Sequence, residues 1–167
     1  MKYHHFILLI FISLVILFGC NTQKRMEYNT KRILQKSYNQ ADTVFQFSNY
    51  SMPIEILWFH TDSLIFAYII NPAKVIKLHP ITMKTTQIDP KSIEQHFDFS
   101  FEKEDDCFQT MLDGTAISMH IINQPTKWSS VDIDCLLSKE YAPGSFDCML
   151  KNSLSLIIKQ YKEHSVD

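Results

Sequence analysis

Glycine is scarce in this chain, with only Gly19, Gly114 and Gly144 among 167 residues. A loop that cradles phosphate with successive backbone amides needs several glycines close together. Neither a GxGxxG nor a GxxxxGK[ST] motif can be assembled from these three, which excludes nucleotide binding of both kinds. Basic clusters are equally few. Lys and Arg total 16 against 18 Asp and Glu. The one concentration, Lys24-Arg25 with Lys31-Arg32, is too short to follow a phosphate backbone, so no nucleic-acid partner is expected. There is no CxxC pair, no HExxH helix and no nucleophile motif, so a metal centre and the familiar hydrolase arrangements lack their usual sequence signals. No cofactor is expected, and no internal repeat is visible.

Also missing is the stretch of about 20 apolar residues that a bilayer-crossing helix requires. The longest apolar run, Phe6 to Phe18, is thirteen residues interrupted only by Ser13. It follows a short, weakly basic head, Met1-Lys2-Tyr3-His4-His5, and gives way to Gly19-Cys20. A basic head, an apolar core and a small residue form the pattern of a secretory leader. The four residues Leu17-Phe18-Gly19-Cys20 resemble the lipobox of bacterial lipoproteins: an aliphatic residue at −3, a small one at −1, then the cysteine. Phe18 is bulkier than is usual at −2. The resemblance covers the first 20 residues and implies cleavage between Gly19 and Cys20, a diacylglyceryl group on the Cys20 sulfur and acylation of the new amine. One acyl chain holds a protein only marginally, but two or three, at roughly 0.8 kcal/mol per buried CH₂, hold it stably. Asn21 follows the cysteine where Asp would resemble an inner-membrane retention signal, and Lys24-Arg25 stand where an acidic export stretch would lie. The expected address is therefore the outer membrane, facing the periplasm.

On this reading residues 1–19 are the leader, 20–41 are the lipidated cysteine with a polar tether, and 42–167 are one globular domain. Losing the leader removes Lys2 alone, leaving 15 − 18 = −3 from side chains. Hydrophobic residues make up 46% of the chain, enough for a single buried core. The tether is rich in Asn, Gln, Thr and Lys, with one short helix expected at Lys31 to Tyr38.

Strand patterns then dominate. Thr43 to Phe47, Ile54 to Phe59, Leu64 to Ile70, Lys74 to Leu78 and Met83 to Ile88 are short, apolar or aromatic runs, with His60-Thr61-Asp62-Ser63 connecting the second and third. Asp89-Pro90 opens a short central helix. Phe97, Phe99 and Phe101 alternate with polar residues. Phe108 to Leu112 and Thr115 to Ile122 flank Asp113-Gly114, a pair suited to a type I′ hairpin turn. Val131, Ile133 and Cys135 alternate with Asp132 and Asp134, predicting one more strand. After Pro143-Gly144, Ser145 caps a helix whose Phe146, Met149, Leu150, Leu154, Ile157, Ile158 and Tyr161 form one stripe. The fold class is α+β: a mostly antiparallel meander with a short central helix and an amphipathic C-terminal helix packed on one face.

Three cysteines remain in the mature domain, so at most one internal disulfide can form. Cys107–Cys148 is the expected pair if one forms, because Cys135 points to the apolar side of its strand and Cys148 away from the helix stripe. Three small unbridged residues are the favoured reading. Histidines 60, 79, 96, 120 and 164 are scattered, and His120 reads as a solvated residue on the polar side of a strand. A Cys107–His120 pair would need the hairpin to join them. The acidic run Glu102, Glu104, Asp105 and Asp106 has the oxygen ligands of a Ca²⁺ loop without the EF-hand spacing, and a solvated turn explains it. Asp132 and Asp134 could pair as carboxylates, though a solvent-facing edge is the simpler account. Trp128, in the linker after Pro125, reads as a lid over the core, with a contact aromatic as the alternative.

With a lipid anchor and no catalytic constellation, the expected function is that of a non-catalytic envelope lipoprotein. It would be held to the membrane by Cys20 and would bind an envelope protein or glycan, or support an assembly. A small envelope hydrolase assembled from distant residues and a protective or inhibitory lipoprotein are the alternatives.

Overall fold

The computed structural model describes residues 21–49, 52–61, 63–83, 107 and 115–164. At its centre is a seven-stranded antiparallel sheet of β1 (Thr43–Asn49), β2 (Ile54–Thr61), β3 (Leu64–Ile70), β4 (Val75–Lys77), β5 (Ile81–Thr82), β6 (Thr115–Ile121) and β7 (Lys127–Ser130). The spatial order is β4-β3-β2-β1-β6-β7, and β5 pairs with β3 beyond the end of β4. The class expected from sequence, α+β with an antiparallel meander and a C-terminal helix, is the one observed.

Register explains the layers. Partners across an antiparallel ladder share a face. One face therefore carries Phe45, Phe47, Ile56, Trp58, Ala67, Ile69, Ile117 and Met119, and the other Val44, Leu57, Phe59, Tyr68 and Ile70. Both sets are buried. The first face is covered by α2 (Ile133–Ser138) and α3 (Phe146–His164), whose Leu136, Phe146, Met149, Leu150, Leu154 and Ile157 join its core. Phe45 anchors this layer, stacking on Trp58 at 5.5 Å between ring centroids and meeting Phe146 at 5.9 Å. The stripe read along the C-terminal helix is thus its buried face. Gly144 takes φ 85°, a left-handed conformation that suits glycine, and Ser145 Oγ accepts from the Cys148 amide at 3.2 Å.

The second face is covered by a helix that the composition concealed. Residues 21–37 form one continuous helix, α1, where a polar tether with a short helix at Lys31 to Tyr38 was expected. Met26, Asn29, Ile33 and Ser37 are buried at helical spacing, and Ile33 packs with Val44, Leu57, Phe59, Tyr68 and Ile70. Two of the four contact positions are polar, so the stripe is too thin to stand out from its neighbours. Burial of the Met26 and Ile33 side chains contributes about 1.5–3 kcal/mol each.

Local chemistry decides three other corrections. His60 and Thr61, expected in a connection, extend β2. Val131 to Cys135 is not a strand: the Asp132 carboxylate accepts from the Asp134 and Cys135 amides, both at 3.0 Å, and so starts α2. An N-cap outweighs short-range alternation here. Cys107 is bridged to Cys135, which overturns both the favoured unbridged reading and the Cys107–Cys148 alternative, and Cys148 is free. Capping turns the start of α2 so that Cys135 reaches buried Cys107, whose carbonyl accepts from the Asp132 amide at 2.8 Å. The readings at Gly19, Cys20, Asp89, Phe97, Glu102 to Asp106 and Phe108 to Gly114 lie outside the described residues.

The bridge closes a loop with a sequence separation of 28, and cross-linking a loop of that size stabilises by about 2–4 kcal/mol. Cys107→Ala with Cys135→Ala is expected to lower the unfolding free energy by about that amount. Cys148→Ala should change it by about 0.5 kcal/mol or less. Denaturant titrations of both variants without reductant check this, and equal losses would show that the bridge contributes nothing.

Candidate functional site

Side chains with chemical potential gather in three places. The first is the joint between β2 and α3. Ser153, fully buried on α3, donates its hydroxyl hydrogen to the Met149 carbonyl at 2.7 Å. A hydroxyl has one hydrogen, so the 3.2 Å contact to His60 must run the other way, with His60 Nε2–H donating to Ser153 Oγ. Phe45 lies edge-on to the same imidazole at 6.0 Å. Burial drives the His60 pKa down to about 4, which keeps the ring neutral at pH 7. An activated serine requires the reverse polarity, with histidine accepting the serine proton. This pair fastens a helix to a sheet.

The second place is the half of the sheet that α1 does not cover. Running across the strands on the α1 side, Tyr68, Leu57 and Gln46 are followed by Ser118 and Trp128. The face is apolar beneath α1 and turns polar at β1. Here His120 Nε2–H donates to Gln46 Oε1 at 2.8 Å, and Nδ1 accepts from the Thr126 hydroxyl at 3.1 Å. Gln46 Nε2 passes the chain on to Ser48 Oγ at 3.0 Å. Burial lowers the His120 pKa as well, so the row Thr126–His120–Gln46–Ser48 is an uncharged, mutually oriented set of donors and acceptors. Trp128 stands beside it, 51% exposed. It is therefore not the core lid that was expected, and His120 is not a freely solvated residue.

The third place is a half-open cavity of about 450 Å³ between the start of α1 and the sheet, lined by Gln23, Met26, Glu27, Ser48, Asn49 and Glu55 among others. Glu55 accepts a hydrogen bond from Thr30 Oγ1. Its pKa is raised chiefly by burial and further by the nearby Glu27 carboxylate, against the lowering effect of the Thr30 bond. Ser48 lines the cavity and also ends the polar row, so the two regions are continuous.

The residues singled out in sequence are dispersed by the fold. Cys107 lies in the core on the α3 side and is consumed in a disulfide, while His120 faces the other side of the sheet, so the sheet separates that pair. Asp132 is a helix cap, which removes the Asp132–Asp134 carboxylate pair. Among the described residues no group of three or more His, Cys, Asp or Glu could hold a metal ion, and no helix is long and apolar enough to cross a membrane. Sequence reasoning missed Glu55 and Gln46. Each sits within an ordinary strand pattern, and only cross-strand register reveals its neighbours.

A histidine whose folded-state pKa is depressed contributes stability that is present above its unfolded value of 6.5 and is lost as pH falls through about 4. On the order of 3 kcal/mol of acid sensitivity is expected from His60. His60→Gln, which keeps a donor for Ser153, should flatten the fall in unfolding free energy over that interval. Parallel pH profiles for the variant and parent would contradict the assignment.

No protein-family model, no curated protein and no solved structure matches this chain.

Proposed function

We propose that the mature chain is a non-catalytic lipoprotein of the cell envelope, anchored through Cys20 in the outer membrane and facing the periplasm, which binds an envelope protein or glycan. The observation that carries the binding role is the half-open sheet face: a 51% exposed Trp128 beside the prearranged row Thr126–His120–Gln46–Ser48. An exposed tryptophan supplies a large, rigid contact area, and tryptophan is enriched among residues that dominate binding energy. His120 spends both ring nitrogens on Gln46 and Thr126 and so holds them in place. This leaves the second Gln46 N–H and the Ser48 and Thr126 hydroxyl oxygens oriented for a partner at little cost in conformational entropy. The lack of charge in this row favours a neutral, polar partner surface. A hydrolytic role is disfavoured by the polarity of the His60–Ser153 contact and by the complete burial of Ser153.

Two experiments test the parts separately. Cys20→Ala should abolish incorporation of labelled fatty acid and release the protein from envelope membranes. A variant still cut at the same place and still embedded would remove the anchor. For the contact face, a photoreactive residue at position 128 is expected to yield a discrete adduct whose partner is identified as an envelope protein or glycan. The same probe at position 159, on the exposed side of α3, should not yield that adduct. Identical patterns at both positions, or none at 128, would defeat the binding assignment.

A further inference from the structure

The outward side of α1 carries a charge pattern that packing does not explain. Its inward side is used up by Met26, Asn29, Ile33 and Ser37. Lys24, Arg25, Lys31, Arg32 and Lys36 are all exposed, and Tyr28 among them is 65% exposed. Positions 24, 25, 28, 31, 32 and 36 recur at three- and four-residue spacing, so they lie along one stripe of the helix. None of the five cations is paired with a carboxylate among the described residues.

The asymmetry is molecular in scale. Residues 21–40 hold five basic side chains and one acidic side chain, Glu27, a net +4. Residues 41–167 hold ten basic and seventeen acidic, a net −7. The sequence run that is too short for a nucleic acid becomes, once wound into a helix, a compact cationic surface on an otherwise acidic protein.

We propose that this basic face of α1 lies on an anionic phospholipid bilayer, as a second contact beside the acyl anchor. The location rests on the lipoprotein reading, since the first described residue, Asn21, is already helical and follows Cys20 directly in the sequence, which leaves little slack between lipid and helix. A helix of this length spans roughly 25 Å. Standing upright, it would bring only Lys24 and Arg25 within a Debye length of about 8–10 Å of the headgroups. Lying flat, it brings all five cations there, and each basic residue near an anionic leaflet strengthens binding about fivefold. The acidic remainder is repelled by the same surface, which fixes which side faces down. Tyr28, in the middle of the stripe, is suited to the headgroup level, where tyrosine is enriched. The geometry has a consequence for the open half of the sheet. It sits on the same side as α1, recessed by about one helix diameter, roughly 10–12 Å, so a partner of Trp128 would approach along the plane of the membrane.

The test uses the chain from residue 20 with Cys20→Ser, which contains every described residue and no acyl group. Flotation with vesicles of phosphatidylcholine alone is compared with vesicles that also contain phosphatidylglycerol. Binding to the anionic vesicles should be at least about tenfold stronger and should fall as salt rises. Lys31→Glu with Arg32→Glu should reduce it at least about tenfold, while Lys159→Glu with Lys162→Glu, an equal change of charge on α3, should leave it near the parent. Circular dichroism confirms that both variants keep the fold. Equal binding to the two vesicle types, or equal losses from the two variants, would overturn the proposal. Because no lipid modification is present in this assay, its failure is distinct from failure of the anchor, which the Cys20→Ala fractionation reports.

Discussion

Four consecutive residues of β2, Ile56 to Phe59, are all buried. Successive side chains of a strand point to opposite faces, so the sheet must be covered on both sides at this point. Everything else in the architecture follows from meeting that requirement. Phe45, Trp58 and Phe146 form the core on one side with α3. On the other side, Leu57 and Phe59 leave a surface that water would cover at a cost, and α1 seals it with a narrow stripe around Ile33.

The requirement lapses two strands away. On β6 and β7 the α3 side still carries Ile117 and Met119, whereas the α1 side carries Ser118, His120 and Trp128. Among the described residues, one sheet is thus part of three layers at one end and two at the other. The polar row at the boundary is linked by three internal hydrogen bonds, which lower the cost of holding its polar groups half-buried. A surface organised in this way keeps its shape while awaiting a partner.

The same helix that seals the core also carries the charge asymmetry of the chain. Its inner stripe ties it to the sheet, its first described residue follows the cysteine of the lipobox-like segment in the sequence, and its outer stripe is cationic. A flexible tether would let the domain turn freely above a membrane. In the proposed bilayer contact, a helix held to the sheet through Met26 and Ile33 would give the domain one preferred side. The disulfide and the His60–Ser153 joint serve the opposite layer, where each fastens a helical element to the core.

The sequence by itself determined the elements with strong local signals. These include the runs at β2 and β3, the Ser145-capped C-terminal helix, the α+β class, and the apolar leader ending at a cysteine as an expectation about address. Such features depend on periodicity and capping within a few residues, and those are readable along the chain. Tertiary structure alone decided that residues 21–37 pack as a helix, because two of its four buried positions are polar and only the exposed Leu57–Phe59 face gives them a reason to be covered. It decided as well that Cys107 meets Cys135 and that Gln46, His120 and Trp128 share one surface. Disulfide partners and cross-strand neighbours are set by how distant segments are placed, and no local pattern carries that information.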